Sequence, residues 1–512
     1  LNFFAFLQKI SSRFLPTQTY LALSGLFRWY NGIMKNYTQE DSTMKLNFNF
    51  QDDLSIFEKE IERFKCSERR RAMLCGEDYY SGRHDILHRS RTVIGENGEL
   101  ERAVNLPDNK AVDNQYRKLV NQKTNYLLGK PITFRKIADG NENFAGFSKL
   151  ISSLFDKSFM RLAKNLCKDS YNHGIAWIYP FFDKGELKFK QLKGYELVPL
   201  WHDFEHTKLE YAVRFYETID CSDSEKIVER AEIFNLDGIH YFELNESGKL
   251  LPVSPYFTPY ITHGDAQLCW GRIPLIPFKR DSDESPLVRC VKSLQDGLNL
   301  ILSNFWNAME DDPRNTLLVL VNYDGADLGE FRRNLSAYGA VKVRSIDGVV
   351  GDVKTLRVEV NADNYRTIID IFRRAIVENG MGFDAKDARI LGNSNQMNIQ
   401  SMYSDIDLDA NEIETEFQAS LCELMWFVKQ YARAAKTPVP DEAIDFIFNR
   451  DMLLNESSVI DNCVKSLAIL SRESVIANHP WVDDVVGESE KVSEEFAQSN
   501  NLGTQARTSM LK

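Results

Sequence analysis

The chain has 512 residues, 43% of them hydrophobic and 27% charged, with a formal net charge of -12. A chain this long has room for roughly two to four domains, and the balance excludes a disordered or membrane-embedded protein. The acidity also argues against a tight nucleic-acid binder, which needs a basic face to release counterions from phosphate, so any DNA contact is expected to be loose and local.

Residues 1–43 are apolar and aromatic, carry Lys9, Arg13, Arg28 and Lys35, and show no acid before Glu40. The character changes at Met44, so 1–43 are expected to be a leader or a mis-assigned start. No apolar run there reaches the roughly 18 residues that a membrane span needs. Residues 52–76 predict one amphipathic helix, with Leu54, Phe57, Ile61 and Phe64 on one side. Residues 79–87 predict a turn into a short extended piece, 113–128 a helix stopped by Gly129 and Pro131, and 147–172 another helix.

From Ile175 the period changes to two. Strands are predicted at 175–181 and 187–191 around the Asp183-Lys184-Gly185 turn, then at 211–219, 226–235, 239–244 and 274–278. Ser285 and Pro286 then open a helix with Leu287, Val291, Leu294, Leu298, Ile301 and Phe305 on one side. Its other side carries Gln295, Asp296, Asn299, Ser303, Asn307 and Glu310. Turned toward DNA, that side would repel phosphate. A small module fills 313–360, with strands at 316–322, 339–344 and 352–360 and a helix near 327–337. A second helix, 361–378, sets Tyr365, Ile368, Ile369, Phe372 and Ile376 on one face. After a Gly-Met-Gly break and a loop, a third helix runs from 399 to about 436. A strand at 443–449, helices at 456–469 and 472–478 and a polar, disordered tail from Gly487 complete an α+β chain.

Chemistry is sparse. There is no P-loop, no GxSxG elbow and no HExxH. The eight cysteines show no CxxC spacing and read as reduced thiols without a structural zinc. Two histidine pairs stand four apart, His84/His88 and His202/His206, the second with Asp203 and Glu205 between them. Both lie in extended or turn-like sequence, where that spacing does not converge on a metal, and surface or hydrogen-bonded histidine is the simpler expectation. Trp177, Trp201, Trp270, Trp306 and Trp426 are spread out and expected in cores. A metal-dependent hydrolase built on His202, Asp203, Glu205 and His206 is the competing enzymatic expectation. No enzyme, cofactor or metal is expected otherwise.

Several stretches, in order, are similar to the portal proteins of tailed double-stranded-DNA bacteriophages, of the siphovirus type. They are Tyr79 to Leu87 (YYSGRHDIL), Lys118 to Phe134 (KLVNQKTNYLLGKPITF), Tyr171 to Tyr179 (YNHGIAWIY), Glu196 to Trp201 (ELVPLW) and Ile273 to Phe278 (IPLIPF). Leu470 to Ile476 (LSRESVI) followed by Val482-Asp483-Asp484 resembles the closing pattern. The sequence departs from the family after Gly392, where Asn-Ser-Asn-Gln-Met-Asn replaces a small-residue run.

The resemblance implies a protomer of a ring, a dodecamer in this family, around a DNA channel at one capsid vertex. It implies a wing at 44–284, stem helices at 285–312 and 361–383, and a clip at 313–360. A tunnel loop at 384–398, a long wing helix at 399–436, a crown at 437–485 and a tail at 486–512 would follow. Lys386, Arg389, Asn393 and Asn395 would face DNA from the tunnel loop, without sequence specificity. Leu287, Val291, Leu294, Leu298, Ile301, Phe305, Ile368, Phe372 and Ile376 would pack the stem. Implied partners are copies of the chain, the passing duplex, the terminase large subunit, capsid and scaffolding proteins and head-completion or adaptor proteins, with no membrane. Location in the virion, and in host cytoplasm during assembly, follows from the same likeness. The other alternative is a virion scaffold component without a channel.

Overall fold

The computed structural model describes residues 50–493 except 95–97, 103–105, 135–144, 184, 204–205, 221–225, 264–265, 312–316, 322–351, 357–361, 385–395, 442–443, 451–455, 478, 480, 483–484, 486 and 490. The chain divides into two units, Leu1–Ile56 and Phe57–Lys512. All packing described below belongs to the second.

Where one helix is expected at 52–76 there are two, α1 (Phe50–Lys65) and α2 (Glu68–Ser81). Ser67 separates them because its hydroxyl caps α2, accepting from the Arg70 N–H at 3.1 Å. Gly82, left-handed at φ 93°, ends α2. The predicted extended piece beyond it is a single 3-10 turn, Asp85–His88, followed by β1 (Thr92–Ile94) and β2 (Leu100–Arg102). Then come α3 (Gln115–Leu128), β3 (Thr133–Phe134), α4 (Ala145–Leu154) and α5 (Lys157–His173). The expected helix 147–172 is broken because the Asp156 carboxylate caps α5 at Ser158 and Phe159.

The β region is larger than expected. β4 (Ile175–Asp183) and β5 (Glu186–Leu192) form the predicted hairpin. β6 (Leu197–Trp201), β7 (Leu209–Asp220), β8 (Lys226–Phe234), β9 (Gly238–Leu244) and β10 (Leu250–Pro259) make one antiparallel sheet in the order β10-β9-β8-β7-β6. A small ribbon, β11 (Ile261–His263) and β12 (Ala266–Leu268), precedes β13 (Ile276–Lys279), which joins the hairpin as β13-β4-β5. Against the five-stranded sheet, α1 packs edge-on aromatic pairs, Phe57 to Tyr211 at 5.5 Å and Phe64 to Phe215 at 6.1 Å.

Three long helices follow: α6 (Val288–Asp311), α7 (Ala362–Asn379) and α8 (Gln396–Ala434). Between α6 and α7 the described residues give one ribbon, β14 (Leu317–Val321) with β15 (Asp352–Leu356). The other elements expected at 323–350 lie outside the described residues. Helix α6 opens at Val288, later than the expected Ser285, because the Ser285 N–H bonds to Asp281 at 3.0 Å and Pro286 and Leu287 close tight turns first. Helix α8 begins three residues earlier than expected, at Gln396. The expected strand 443–449 shrinks to β16 (Phe446–Ile447), paired with β3. Helices α9 (Glu456–Ser466) and α10 (Arg472–Ala477) follow. The tail is not wholly irregular: residues 487–489 and 491–493 are helical, with Lys491 bonded to Glu488 at 3.1 Å.

Helix α8 rests on β13 through Phe417 against Phe278 at 5.0 Å and the Ser420 hydroxyl on the Pro277 carbonyl at 2.6 Å. Among the described residues no helix is long and apolar enough to cross a membrane.

Candidate functional site

The two sides of α6 are held differently. On its apolar side Val291 and Leu298, and Leu287 just before the helix, are buried and Leu294, Ile301 and Phe305 half-buried. From α7, Ile376 is buried, Phe372 half-buried, and Tyr365 meets Phe305 at 4.9 Å between ring centres. Phe372 lies so close to Gly297 that a Cβ there would sit 2.5 Å from the ring. Ile368 departs from the expected set in being 40% exposed, and Ile371 beside it is 59% exposed.

Much of the polar side is also buried within the protomer. Gln295, Asn299, Ser303 and Asn307 are all in the interior. Their oxygens accept the backbone N–H groups of Tyr116, Asp113, Ala111 and Asn109 at 3.1, 3.0, 3.0 and 2.7 Å. The match is geometric. Four residues of helix rise about 6 Å and two residues of extended chain about 6.6 Å, so the alternate N–H groups of Asn109, Ala111 and Asp113 meet helix side chains four apart, while Gln295 takes the Tyr116 N–H at the start of α3. Residues 107–114 therefore run along α6 as a strap. Asp113 also binds Arg373 of α7 at 2.8 Å, so the strap ties both helices. His84 completes the layer, its Nδ1 accepting from the Asn299 amide at 2.8 Å and its Nε2 donating to the Tyr79 carbonyl at 3.1 Å. Burial pushes this imidazole below its ordinary pKa and keeps it neutral.

At the start of α6 stands a buried carboxylate, Glu284. It binds Arg69, His206 at 3.0 Å and Lys279 at 3.2 Å. Burial alone would raise its pKa, but Arg69, His206 and Lys279 hold it below the usual value. Gly174 permits this close approach, since a Cβ there would lie 2.0 Å from the Glu284 carbonyl oxygen.

At the end of α7 the chain is held by α3. Gln122 accepts from the Phe383 N–H at 3.0 Å and donates to its carbonyl at 2.6 Å. Lys123, with a fully buried side chain, pairs with Asp409 of α8 at 2.7 Å and donates to the Met381 carbonyl at 3.1 Å. Tyr171 donates to the same carboxylate at 2.7 Å. Burial lowers the Lys123 pKa, and Asp409 opposes that shift. Phe383 stacks on Tyr403 of α8 at 4.3 Å and Tyr403 on Tyr126 at 5.7 Å, so the chain just after α7, helix α8 and helix α3 share one aromatic column. Lys386, Arg389, Asn393 and Asn395 themselves lie outside the described residues.

Among the described residues the two histidine pairs form no cluster that could hold a metal. Asp203 closes a turn, accepting from Thr207 and Lys208, while His206 turns to Glu284 and stacks on Trp201 at 5.0 Å. Glu205 lies outside the described residues. Elsewhere Glu77, Asp169 and His173 gather within 4.8 Å. The Lys193 ammonium already sits there, 3.1 Å from Asp169 and 3.6 Å from Glu77, doing the job of a cation.

Residues 65–502 match the family model described as phage portal protein, SPP1 Gp6-like. The chain belongs to this portal family. The portal protein of Bacillus phage SPP1 is 26% identical over 434 residues, 83% of this chain and 84% of that relative. The portal protein of Clostridium phage phiCD119 is 25% identical over 440 residues, 83% of this chain and 92% of that one. Two solved structures, the neck of an empty GTA particle computed with C6 symmetry and the virion of a native gene transfer agent particle, align over 72% of this chain and 90% of theirs. Their TM-scores are 0.39 and 0.38, at 12% and 11% identity.

The most informative residues of this portal-family chain were in part missed by pattern reading. Lys123 lies on the same side of α3 as buried Tyr116, Leu119, Val120 and Leu127. A charge inside an apolar stripe is the signal of a buried ion pair. The amide and hydroxyl residues of α6 at steps of four carried a similar signal, for backbone pairing and not for exposure.

Proposed function

We propose that the protein is a portal subunit, copies of which form a ring at one capsid vertex around the channel through which DNA is packaged and ejected. Family membership across residues 65–502 carries this reading. Residues 44–284 would serve as wing, α6 and α7 as stem, 313–360 as clip, 384–395 with the first residues of α8 as tunnel loop, the rest of α8 as wing helix and 437–485 as crown. The exposed apolar side chains of the stem helices support contact between copies: Trp306 at 51%, Met309 at 54% and Ile371 at 59%. Trp306 thereby departs from its expected core role.

No nucleotide-binding motif occurs in the sequence, so the energy for translocation comes from a separate ATPase, the terminase, docked with later head-completion proteins on the clip. Scaffolding and capsid proteins would meet the wing. The subunit number is taken as twelve. A net charge of -12 keeps the wall from gripping phosphate, so the duplex slides. Lys386 and Arg389 are the proposed transient contacts.

Electron microscopy and native mass measurement of the purified chain test the ring directly. Annular particles with an open centre are expected, and solid particles would reject the reading in favour of a channel-free virion component. Replacing Lys386 and Arg389 with Glu should leave assembly intact and reduce DNA packaging or retention. Unchanged packaging removes these two side chains as contacts. Metal analysis should find no stoichiometric zinc or manganese, the result on which the hydrolase alternative would depend.

A further inference from the structure

Helices α3, α4 and α5 depart from the acidity of the chain. Their sequences contain eight Lys and Arg residues and a single acid, Asp169, which is buried against Lys193 and Gln191. On α5 the cations form a line. Lys157, Arg161, Lys164 and Lys168 are spaced four, three and four, which sets them within a narrow arc of the helix. Lys157 and Arg161 are exposed and the other two half-buried. None has a carboxylate partner among the described residues, and Lys164 reaches only the Asn125 amide at 3.5 Å.

Helix α8 carries the complement. Asp405, Glu412 and Glu416 are spaced seven and four, again within a narrow arc, and none has a cationic partner within salt-bridge distance among the described residues. Burial together with Asp281 raises the Glu412 carboxyl above its usual pKa. From Lys157 to Lys168 and from Asp405 to Glu416 the helices advance by the same eleven residues, about 16 Å. Leu408, 60% exposed, stands between Asp405 and Glu412. Beside Arg161 an open cleft of about 900 Å³ is lined by Leu150, Leu154, Leu162 and Phe189.

We infer that the basic line of α5 on one copy docks against the acidic line of α8 on the next, with Leu408 entering the cleft beside Arg161. The contact is heterologous, the type that closes rings, and the occupant of each line is a second copy of this chain. It rests on the ring reading and names the surface that selects the neighbour. A polyanion such as duplex DNA could use the same cations, but it would leave Leu408 and the acidic line without a role.

The test is charge exchange in the full chain. Reversing α5 (Lys157→Glu, Arg161→Glu, Lys168→Glu) should reduce the ring fraction at least tenfold at physiological salt, with an unchanged circular dichroism spectrum. Reversing α8 (Asp405→Lys, Glu412→Lys, Glu416→Lys) should do the same. A chain carrying both sets restores complementarity and should regain rings. Normal rings from either single set, or none from the combined set, overturn the pairing. Normal rings combined with lost duplex binding in a gel shift would assign the α5 cations to DNA and also overturn it. If the unmodified chain forms no ring, the portal reading itself falls and takes this contact with it.

Discussion

The apolar and polar sides of α6 bury comparable lengths of the same helix by opposite means. Toward α7 the contact is side chain on side chain, tolerant of small shifts because dispersion and burial are non-directional. Toward the strap it is a row of directional hydrogen bonds, each fixing one backbone N–H to one oxygen. The first side buries apolar area without fixing register. The second sets register, since sliding the strap by one residue would orphan the whole row.

Substitutions can separate the two roles. The largest effect is expected for Leu298→Asp, which places a charge in a fully buried site. A loss of more than about 4 kcal/mol should abolish cooperative thermal unfolding and leave aggregates in size-exclusion chromatography. Asn299→Leu keeps the volume but strands the Asp113 N–H and the His84 Nδ1. Chemical denaturation should show a loss of about 2–4 kcal/mol, and exchange of the 109–113 amides should rise more than that of α7. Equal protection in both segments would refute a register role for the strap. Gly297→Ala pushes a methyl against Phe372 and should lower the unfolding midpoint by about 1–3 kcal/mol. Ser303→Ala, which removes one rung of four, should cost about 1 kcal/mol.

A final test varies pH. The Glu284 carboxyl is held below its ordinary value of 4.5, so its contribution is present above pH 4.5 and is lost as pH falls through the lower folded value. Acid titration of Glu284→Gln should therefore lack a destabilising step that the unmodified protein shows in that range. Identical acid limbs would show that the carboxylate adds nothing to stability at the start of α6.

The same contrast explains what was legible in the sequence. Apolar spacing announced the helices α6, α7 and α8, because burial leaves a periodic mark. Ile368 fitted the pattern and yet faces outward, since a helix stripe can be wider than the partner that covers it. The polar row of α6 was visible as a row, but its meaning was hidden. Amides and hydroxyls look the same whether they meet water or a strap, and the strap sequence, Pro107 to Asn114, has no periodicity to announce it. Strands β6 and β10 escaped notice because prolines interrupt them, at Pro199 in the first and at Pro252, Pro255 and Pro259 in the second. Helix breaks at Ser67 and Asp156 were readable as caps, overlooked inside longer apolar patterns.

The aromatic column of Phe383, Tyr403 and Tyr126 has a consequence for where damage would spread. Tyr403 stands in the middle and touches both other rings, so losing that one ring would undo both stacking contacts, whereas losing Phe383 or Tyr126 would leave one in place. A single side chain of α8 thereby joins the residues after α7 to α3.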